Sequence, residues 1–382
     1  MRKKKRKQKI IVGVSAGAGG ILLIVFITLC FWKFRKTKID RKTAAAALEL
    51  QARDQNTRQR NTWESRIVPF DDIAAATDNF SATNIIGEGG FGVVYKTMPC
   101  IGGESQGTLP GGQEIAVKRL TNQSEMGIQG FEREVMHIRV AQHKNIVRLI
   151  GYFCDDNEKI IVYELLENSS LDNHLFEKTG SSILSWNQRL DITKGIARGL
   201  SYLHHDSRFR IIHLDLKPSN VLLGRDMIPK ISDFGMAQTL AQDKTEDNAT
   251  TVGGTYGYKS FSVKSDVFSF GVMVLEIVTG IKCKEYPKHH DGDNLLCVIW
   301  NKWKEGNGME MLDQAIKDSP SGNNLSELEV IRCIQIGLLC VQHDAEDRPT
   351  METGSSSSSP REPQECESSS INQITISAFD AR

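Results

Sequence analysis

Residues 211–223, "IIHLDLKPSNVLL", are the stretch that decides the fold. This stretch places three functional groups close together: the carboxylate of Asp215, the ammonium group of Lys217 and the carboxamide of Asn220. Such a carboxylate can accept the proton of an attacking hydroxyl, and the lysine can neutralise a phosphoryl group during transfer. The carboxamide oxygen can hold a divalent ion. The stretch therefore predicts a phosphoryl-transfer site.

Motifs on either side extend this chemistry. "ISDFG" follows and supplies Asp233, a hard carboxylate ligand for Mg²⁺. Upstream, "GEGGFGVV" (87–94) has glycines spaced to let the backbone approach phosphates. Dinucleotide-binding loops share this spacing but place a helix after the glycines, whereas the strand-like "VVYK" follows here. Lys118 in "IAVKRL" could then pair with phosphates, and Glu134, on a predicted helix, could form an ion pair with Lys118.

The N-terminal region predicts a membrane span. An uncharged apolar run, Ile10–Trp32, follows "MRKKKRKQK" and is long enough to cross ~30 Å of hydrocarbon. A cleaved signal peptide would be shorter and end in a small-residue site, and both flanks are basic. The basic residues at both ends leave the orientation open. Gly13 and Gly17 form a GxxxG step that suits helix pairing, although small residues that merely soften the helix are the alternative.

Composition changes divide the rest of the chain. Strand-like, glycine-bounded segments come first, and apolar residues at helical spacing follow, which predicts a β-rich lobe and then a helical lobe. A serine-rich, low-complexity tail ends the chain. The predicted parts are a basic flank (1–9), the span (10–32), a juxtamembrane segment (33–79), a two-lobed domain (80–351; small lobe about 80–166, large lobe about 167–351) and the tail (352–382).

Charge and cysteine usage exclude some classes of function. The chain has 47 basic and 47 acidic residues, and this zero net charge argues against nucleic acid as a partner. Its eight cysteines show no CxxC pairs or metal-ligand spacing, so we expect no disulfides and a reducing compartment. Cys333 and Cys340 lie in an apolar helical run and are predicted to be buried core thiols.

At "HLDLKPSN" and "ISDFG" the chain resembles the eukaryotic protein kinase family, from about Phe80 to Met351. The lysine two residues after Asp215, Lys217, resembles the pattern of the serine/threonine branch of this family. The stretches "ATDNFSATNIIGEGGFGVVYK", "LSWNQRLDITKGIARGLSYLHHDS" and "SINQITISAFDAR" resemble plant receptor-like kinases, and most closely their S-domain (G-type lectin) group.

The resemblance implies an α+β, bilobal protein kinase fold, here preceded by the predicted transmembrane helix, with ATP and Mg²⁺ as cofactors and Mn²⁺ as an alternative ion. Tyr163 would be the gatekeeper before the adenine-facing hinge, and Asp266 would support the catalytic loop. The implied catalytic residues are Asp215, Lys217, Glu134 and Thr255, and the metal ligands are Asn220 and Asp233. The implied nucleotide-binding residues are Gly87, Glu88, Gly89, Gly90, Phe91, Gly92, Val94, Ala116, Lys118, Glu164 and Leu166.

It also implies partners and a location. Protein substrates would be phosphorylated on Ser or Thr. Membrane lipid would surround the span, through which the chain would pair with itself or with other receptor-like kinases. A kinase that needs ATP and reduced thiols places its domain in the cytoplasm, so the chain is expected to be a single-pass plasma-membrane protein. With no signal peptide or ectodomain before the span, no ligand-sensing part is expected.

Two departures from the family concern loops. The segment 97–113, "TMPCIGGESQGTLPGGQ", is longer than the tight turn expected between two strands, but a surface insertion costs little. Leu214 stands where the family has an arginine that pairs with a phosphorylated activation loop. Phosphorylation of Thr250 or Thr251 therefore could not act through that arginine here.

The largest departure lies between Tyr258 and Ser262, where the family has a Ser-Pro-Glu or Ala-Pro-Glu run and a short helix. The missing glutamate normally pairs with the arginine of "DRPT", here Arg348. We therefore expect a largely buried, unpaired guanidinium that costs roughly 3–5 kcal/mol, and a damaged substrate platform. The family's last helix is also absent after Met351. Two hypotheses follow: a membrane-anchored Ser/Thr kinase, or a nucleotide-binding pseudokinase that engages full-length receptor kinases.

Overall fold

The computed structural model describes residues 66–89, 92–97, 114–121, 124–177, 183–240, 246–249, 259–286, 294–318, 325–351 and 373–374. All of these lie in one unit, Ser65–Arg382. The predicted span Ile10–Trp32 and the predicted site residues Gly90, Phe91 and Thr255 lie outside the described residues. Within the described ranges, no helix is long and apolar enough to cross a membrane.

The small lobe is built on a six-stranded sheet. Its strands are β1 (Arg66–Ile67), β2 (Ile85–Gly89), β3 (Gly92–Lys96), β4 (Ile115–Arg119), β5 (Leu149–Cys154) and β6 (Lys159–Glu164). They lie in the order β1-β5-β6-β4-β3-β2, and all neighbours are antiparallel except β1 and β5. β-Branched residues suit a buried pleated surface, and Val117, Ile160 and Val162 are fully buried. The predicted β-rich small lobe is confirmed.

Part of the segment assigned from sequence to the juxtamembrane region packs onto this sheet. Strand β1 extends the sheet, and helix α1 (Phe70–Ala76) follows it. The Phe70 ring lies 5.8 Å from the Phe80 ring and 5.5 Å from the Phe153 ring. Phe80 in turn meets Tyr95 edge-on at 5.5 Å. These aromatic contacts make residues 66–80 part of the small lobe's own core.

Helix α2 (Glu125–Val140) is the long helix of the small lobe. It begins after Ser124, whose hydroxyl accepts the N–H of Gly127 and so satisfies one free backbone donor. The buried residues recur at helical spacing and define the face that the helix turns inward. They include Phe131, Glu134, His137 and Ile138.

The large lobe is mainly helical. Its helices are α3 (Leu171–Phe176), α4 (Trp186–Ser201), α5 (Val263–Thr279), α6 (Leu295–Lys304), α7 (Gln314–Lys317) and α8 (Glu327–Cys340). Capping boxes begin α4, through Ser185 and Gln188, and α5, through Ser262 and Ser265. Helix α5 ends at Gly280, whose left-handed backbone (φ 63°) suits glycine.

Helix α5 is buried on nearly all sides, as its apolar sequence predicts, and α8 packs closely against it. A side chain at Gly271 of α5 would collide with Cys340 of α8, so the two helices need a glycine at this crossing. Cys333 and Cys340 are 2% and 0% exposed, which confirms that they are core thiols. Burial raises the pKa of Cys333 to about 12.

The described residues from Arg210 onward also form short strands. They are β7 (Arg210–Ile212), β8 (Val221–Leu223), β9 (Pro229–Ile231), β10 (Gln238–Leu240), β11 (Glu246–Ala249), β12 (Lys259–Ser262), β13 (Thr350–Met351) and β14 (Gln373–Ile374). The antiparallel pairs are β7 with β10, β8 with β9, and β11 with β12. Strands β13 and β14 are parallel, so two residues of the predicted tail pair with the end of the large lobe. Strands β7 and β8 flank residues 213–220 and fix the ends of that loop.

Candidate active site

Lys118 joins the two lobes at the centre of the candidate site. Strand β4 carries it, and its Nζ lies 2.9 Å from Glu134 Oε2 and 3.0 Å from Asp233 Oδ1. Burial alone would lower the pKa of Lys118, but the two carboxylates outweigh it and raise the pKa above its usual value. The lysine is therefore charged at neutral pH, in a position to meet another anion such as a phosphate.

Glu134 is held from a second side. The Tyr163 hydroxyl, on β6, donates to Glu134 Oε1, so both carboxylate oxygens are engaged. Phe234, next to Asp233, is fully buried and meets the His213 ring edge-on at 4.9 Å. Helix α2 therefore sits against the turn that carries Asp233, with its glutamate pointing into the site.

A buried carboxylate shapes the loop between β7 and β8. Asp266 of α5 is 0% exposed and accepts the N–H of His213 at 2.7 Å and the N–H of Leu214 at 2.8 Å. His204 Nε2 lies 2.9 Å from the same carboxylate. Leu214 has a left-handed backbone (φ 65°), which costs about 1–2 kcal/mol for a non-glycine residue. The hydrogen bonds to Asp266 offset this strain and hold the loop in one conformation.

This loop brings Asp215, Lys217 and Asn220 together. Asp215 Oδ2 lies 2.7 Å from Lys217 Nζ and 2.9 Å from Asn220 Nδ2. Asn220 also donates to the Asp215 backbone oxygen at 2.8 Å. The Asp215 side chain is 28% exposed and the Lys217 side chain 47%, so both can be reached from solvent. A partly exposed carboxylate beside a lysine suits a base acting on an incoming hydroxyl.

The donors present fit a magnesium ion. Both Asn220 Nδ2 bonds go to Asp215, which fixes the amide so that its oxygen remains available as a ligand. Asp233 supplies a carboxylate, whose Oδ1 lies 3.0 Å from Lys118 Nζ. Among the described residues, no group of three His, Cys, Asp or Glu side chains converges as a metal cage. Mg²⁺ typically needs only one or two protein oxygens, with water and phosphate oxygens as the other ligands.

The glycine-rich segment is a hairpin between β2 and β3, as the strand-like "VVYK" predicts. Gly89, the last residue of β2, pairs with Gly92, the first residue of β3. Gly92 has φ 155°, and a side chain there would collide with the Arg119 carbonyl oxygen, so the position requires glycine. Val94 pairs with Lys118 on the neighbouring strand. A helix does not follow these glycines, which excludes the dinucleotide-binding arrangement.

The predicted hinge follows β6. Ala116 of β4 pairs with Tyr163, which places it beside the start of the hinge. Glu164 Oε1 accepts the N–H of Arg148 at 2.8 Å and lies 3.0 Å from Lys230 Nζ, so this side chain secures the inter-lobe connection. Leu166 is half-buried against the main core.

The family described as "Protein tyrosine and serine/threonine kinase" matches residues 80–356. The chain belongs to the protein kinase family. Its relatives place it in the receptor-like serine/threonine lineage that the motifs indicate.

The relatives of this kinase include the following three from Arabidopsis thaliana. It is 44% identical to "Receptor-like serine/threonine-protein kinase SD1-8" over 99% of this chain and 49% of the relative. It is 45% identical to "G-type lectin S-receptor-like serine/threonine-protein kinase SRK" over 97% and 48%, respectively. It is 42% identical to "Cysteine-rich receptor-like protein kinase 7" over 92% and 51%. The chain spans about half the length of the curated relatives it matches.

Three residues, Lys259 to Phe261, bridge the shortened segment of this kinase. Strand β12 runs directly into α5, because Ser262 is both its last residue and the N-cap of the helix. Phe261 is 8% exposed and packs in an apolar cluster with Ile212 and Leu240. Leu214 packs against the same cluster. The leucine that replaces the family arginine therefore makes apolar contacts with the segment that closes the gap.

The expectation for Arg348 is wrong. Its guanidinium is half-buried and donates to the backbone oxygens of Gln342 at 2.8 Å, Lys264 at 3.1 Å and His343 at 2.9 Å. It also lies 4.9 Å from the centre of the Phe268 ring. Carbonyl oxygens at loop and helix ends replace the missing carboxylate as acceptors, so the predicted penalty for an unpaired buried charge does not apply.

Three contacts of the site were not predicted from the sequence: Lys118 with Asp233, Tyr163 with Glu134, and His137 with Thr239. The first two join residues whose importance the motifs already indicate. No pattern marks Thr239, which lies outside every motif. Its contact with His137 arises only when α2 packs against β10.

Proposed function

We propose that this chain is a membrane-anchored protein kinase that transfers the γ-phosphate of ATP to serine or threonine hydroxyls of proteins. The observation that carries the proposal is the ion-pair set of Lys118 with Glu134 and Asp233, at 2.9 and 3.0 Å, next to the Asp215 loop. These ion pairs bring a charged lysine and a carboxylate together, as phosphate and Mg²⁺ binding require.

The catalytic loop would act on the protein substrate. Asp215 would accept the hydroxyl proton as the oxygen attacks, and Lys217, 2.7 Å away, would stabilise negative charge on the phosphoryl group. Asn220 and Asp233 would hold Mg²⁺, which when bound neutralises charge on the phosphate oxygens. Lys118, kept in place by Glu134, would hold the α- and β-phosphates. Thr255 would favour Ser and Thr substrates.

The small lobe would bind the nucleotide. The hairpin of β2 and β3 would cover the phosphates with backbone N–H groups, since its glycines leave the backbone accessible. Ala116 and Leu166 would pack on the adenine, and the backbone at Glu164 would read its edge. The hairpin residues in this proposal are Gly87, Glu88, Gly89, Gly90, Phe91, Gly92 and Val94.

The membrane part of the proposal rests on sequence and relatives. The run Ile10–Trp32 would anchor the chain in the plasma membrane with the kinase domain in the cytoplasm. The names of the relatives describe receptor-like kinases. Gly13 and Gly17 would let two spans pair, either in a homodimer or with another receptor-like kinase.

Transfer from [γ-³²P]ATP by the full chain in detergent micelles tests the proposal. The parent should label itself and a Ser/Thr peptide, and Asp215→Asn should abolish both. Mg·ATP should raise the Tm of the parent and of Lys96→Met, an exposed strand lysine, but not of Lys118→Met. Nucleotide binding without transfer would overturn the enzymatic proposal, and no Tm shift in the parent would overturn nucleotide binding as well.

A further inference from the structure

His137 lies on the inner face of α2, one turn after Glu134. The residue is 2% exposed. Its Nδ1 is 2.7 Å from the Arg133 carbonyl oxygen, and its Nε2 is 2.9 Å from Thr239 Oγ1 on β10. Both ring nitrogens are thus engaged, one within the helix and one across to the large lobe.

The directions of these two hydrogen bonds follow from their partners. A carbonyl oxygen only accepts, so His137 Nδ1 carries the proton. Burial lowers the pKa of His137 to about 4, so the ring is neutral at pH 7 and Nε2 is an acceptor. The Thr239 hydroxyl therefore donates to Nε2. A valine at this exposed position would keep the shape of Thr239 but remove the hydroxyl that donates to the buried His137 ring.

Thr239 connects this helix to the catalytic loop. On β10 it pairs with Ile211 of β7, and β7 leads directly into the loop that carries Asp215. Helix α2 makes a second connection nearby, because Arg133 Nε donates to the Gly235 carbonyl oxygen at 3.0 Å. The helix is therefore held at Gly235, within the turn that follows Asp233, and at Thr239, beyond that turn.

We propose that His137 and Thr239 are positioning residues, whose hydrogen bond holds α2 against β10 and thereby keeps Glu134 directed at Lys118. The inference rests on the proposed phosphotransfer for its kinetic consequence, but not for the bond itself. Neither residue touches the reacting groups. They act through the placement of Glu134, which in turn places Lys118.

Two variants of Thr239 separate the bond from the shape of the residue. Thr239→Val removes the donor, and Thr239→Ser keeps it. In the full chain, kcat of Thr239→Val should fall about tenfold, the effect of roughly one lost hydrogen bond on the barrier, with the peptide KM unchanged. Thr239→Ser should stay within about twofold of the parent. Because the two residues act as a unit, His137→Leu with Thr239→Val should lose no more than either single variant.

Two readouts do not need catalysis. Imidazole ¹⁵N NMR, assigned with His137→Leu, should show the Nδ1–H tautomer in the parent and in Thr239→Ser. Amide hydrogen exchange in α2 should be faster in Thr239→Val than in Thr239→Ser. An Nε2–H tautomer in the parent, or equal kcat and equal exchange in the two threonine variants, would overturn the proposal. If the parent transfers no phosphate, the proposed function fails, while NMR and exchange still decide whether the bond exists.

Discussion

At the scale of single residues, buried ionisable side chains give this kinase opposite responses to protonation. Glu134 and Asp233 raise the pKa of Lys118, so its charge is retained in the folded protein. Burial lowers the pKa of His137 to about 4, so its neutral form is retained. The Arg133 carbonyl oxygen favours protonation of His137, whereas the Arg133 guanidinium and His213 disfavour it, and burial is the largest effect. Protonation of His137 therefore opposes its burial, whereas Lys118 keeps its proton in the folded protein.

The pH dependence of unfolding tests this residue. The folded pKa of about 4 lies below the usual value for histidine, so between about pH 6.5 and 4 the unfolded chain binds the extra proton. The stabilisation is complete above about pH 6.5 and is lost as pH falls through that window, at up to about 1.4 kcal/mol per pH unit. The unfolding free energy of His137→Leu, measured with urea at each pH, should lack this part of the pH dependence.

His343 provides a matched control, because its side chain is fully exposed. His343→Leu should keep the slope of the parent. An equal slope for the parent and His137→Leu would show that the imidazole of His137 titrates normally and is not sequestered.

Some contacts between residues can be predicted from the sequence and others cannot. Lys118 and Glu134 could be paired in advance, because a strand lysine and a helix glutamate follow the glycine loop in a known order. The acceptors of Arg348 could not, because backbone carbonyls carry no sequence signal, and the sequence draws attention only to the missing carboxylate. His137 and Thr239 are separated by more than a hundred residues, and only the packing of α2 on β10 brings them together.

At the scale of elements, the same distinction holds. The glycine-bounded strands and the apolar helix α5 have strong local patterns, and both were predictable. Strands β1 and β12 are two and four residues long, and their conformation depends on the strands they pair with. The shortened segment before α5 therefore appeared as a defect in the sequence, whereas in the structure it forms β12 and buries Phe261.

The contribution of β12 to stability can be measured by removing the Phe261 ring. Phe261→Ala should lower the unfolding free energy by about 3 kcal/mol, the low end of the range for a buried phenylalanine, because the ring packs with Ile212 and Leu240. Leu214→Arg should also destabilise the protein, since it directs a guanidinium into the same apolar cluster. Leu328→Ala, at a 69% exposed site, should change little. An unchanged urea midpoint for Phe261→Ala would mean that β12 does not pack against Ile212 and Leu240.

At the scale of the whole molecule, the small lobe begins earlier than its motifs indicate. Strand β1 and helix α1 extend the folded unit to Arg66, and the Phe70, Phe80 and Phe153 rings hold this extension. About thirty residues then separate the predicted span from the lobe. The five cysteines within the described ranges are free thiols.

The orientation of the predicted span in the membrane can be tested with tags at the two ends of the chain. If Ile10–Trp32 spans the membrane with the kinase domain in the cytoplasm, a tag after Arg382 should resist protease in sealed right-side-out vesicles. A tag before Arg2 should be cleaved, because it lies on the outer face. Detergent should expose both tags and so control for sealing. Arginines at Leu23 and Val25 should prevent insertion, because charged side chains at mid-span cost roughly 2.5–3.5 kcal/mol each. Cleavage of the C-terminal tag with protection of the N-terminal tag would place the candidate active site outside the cell, where ATP and reduced thiols are scarce, and would contradict the proposed cytoplasmic kinase.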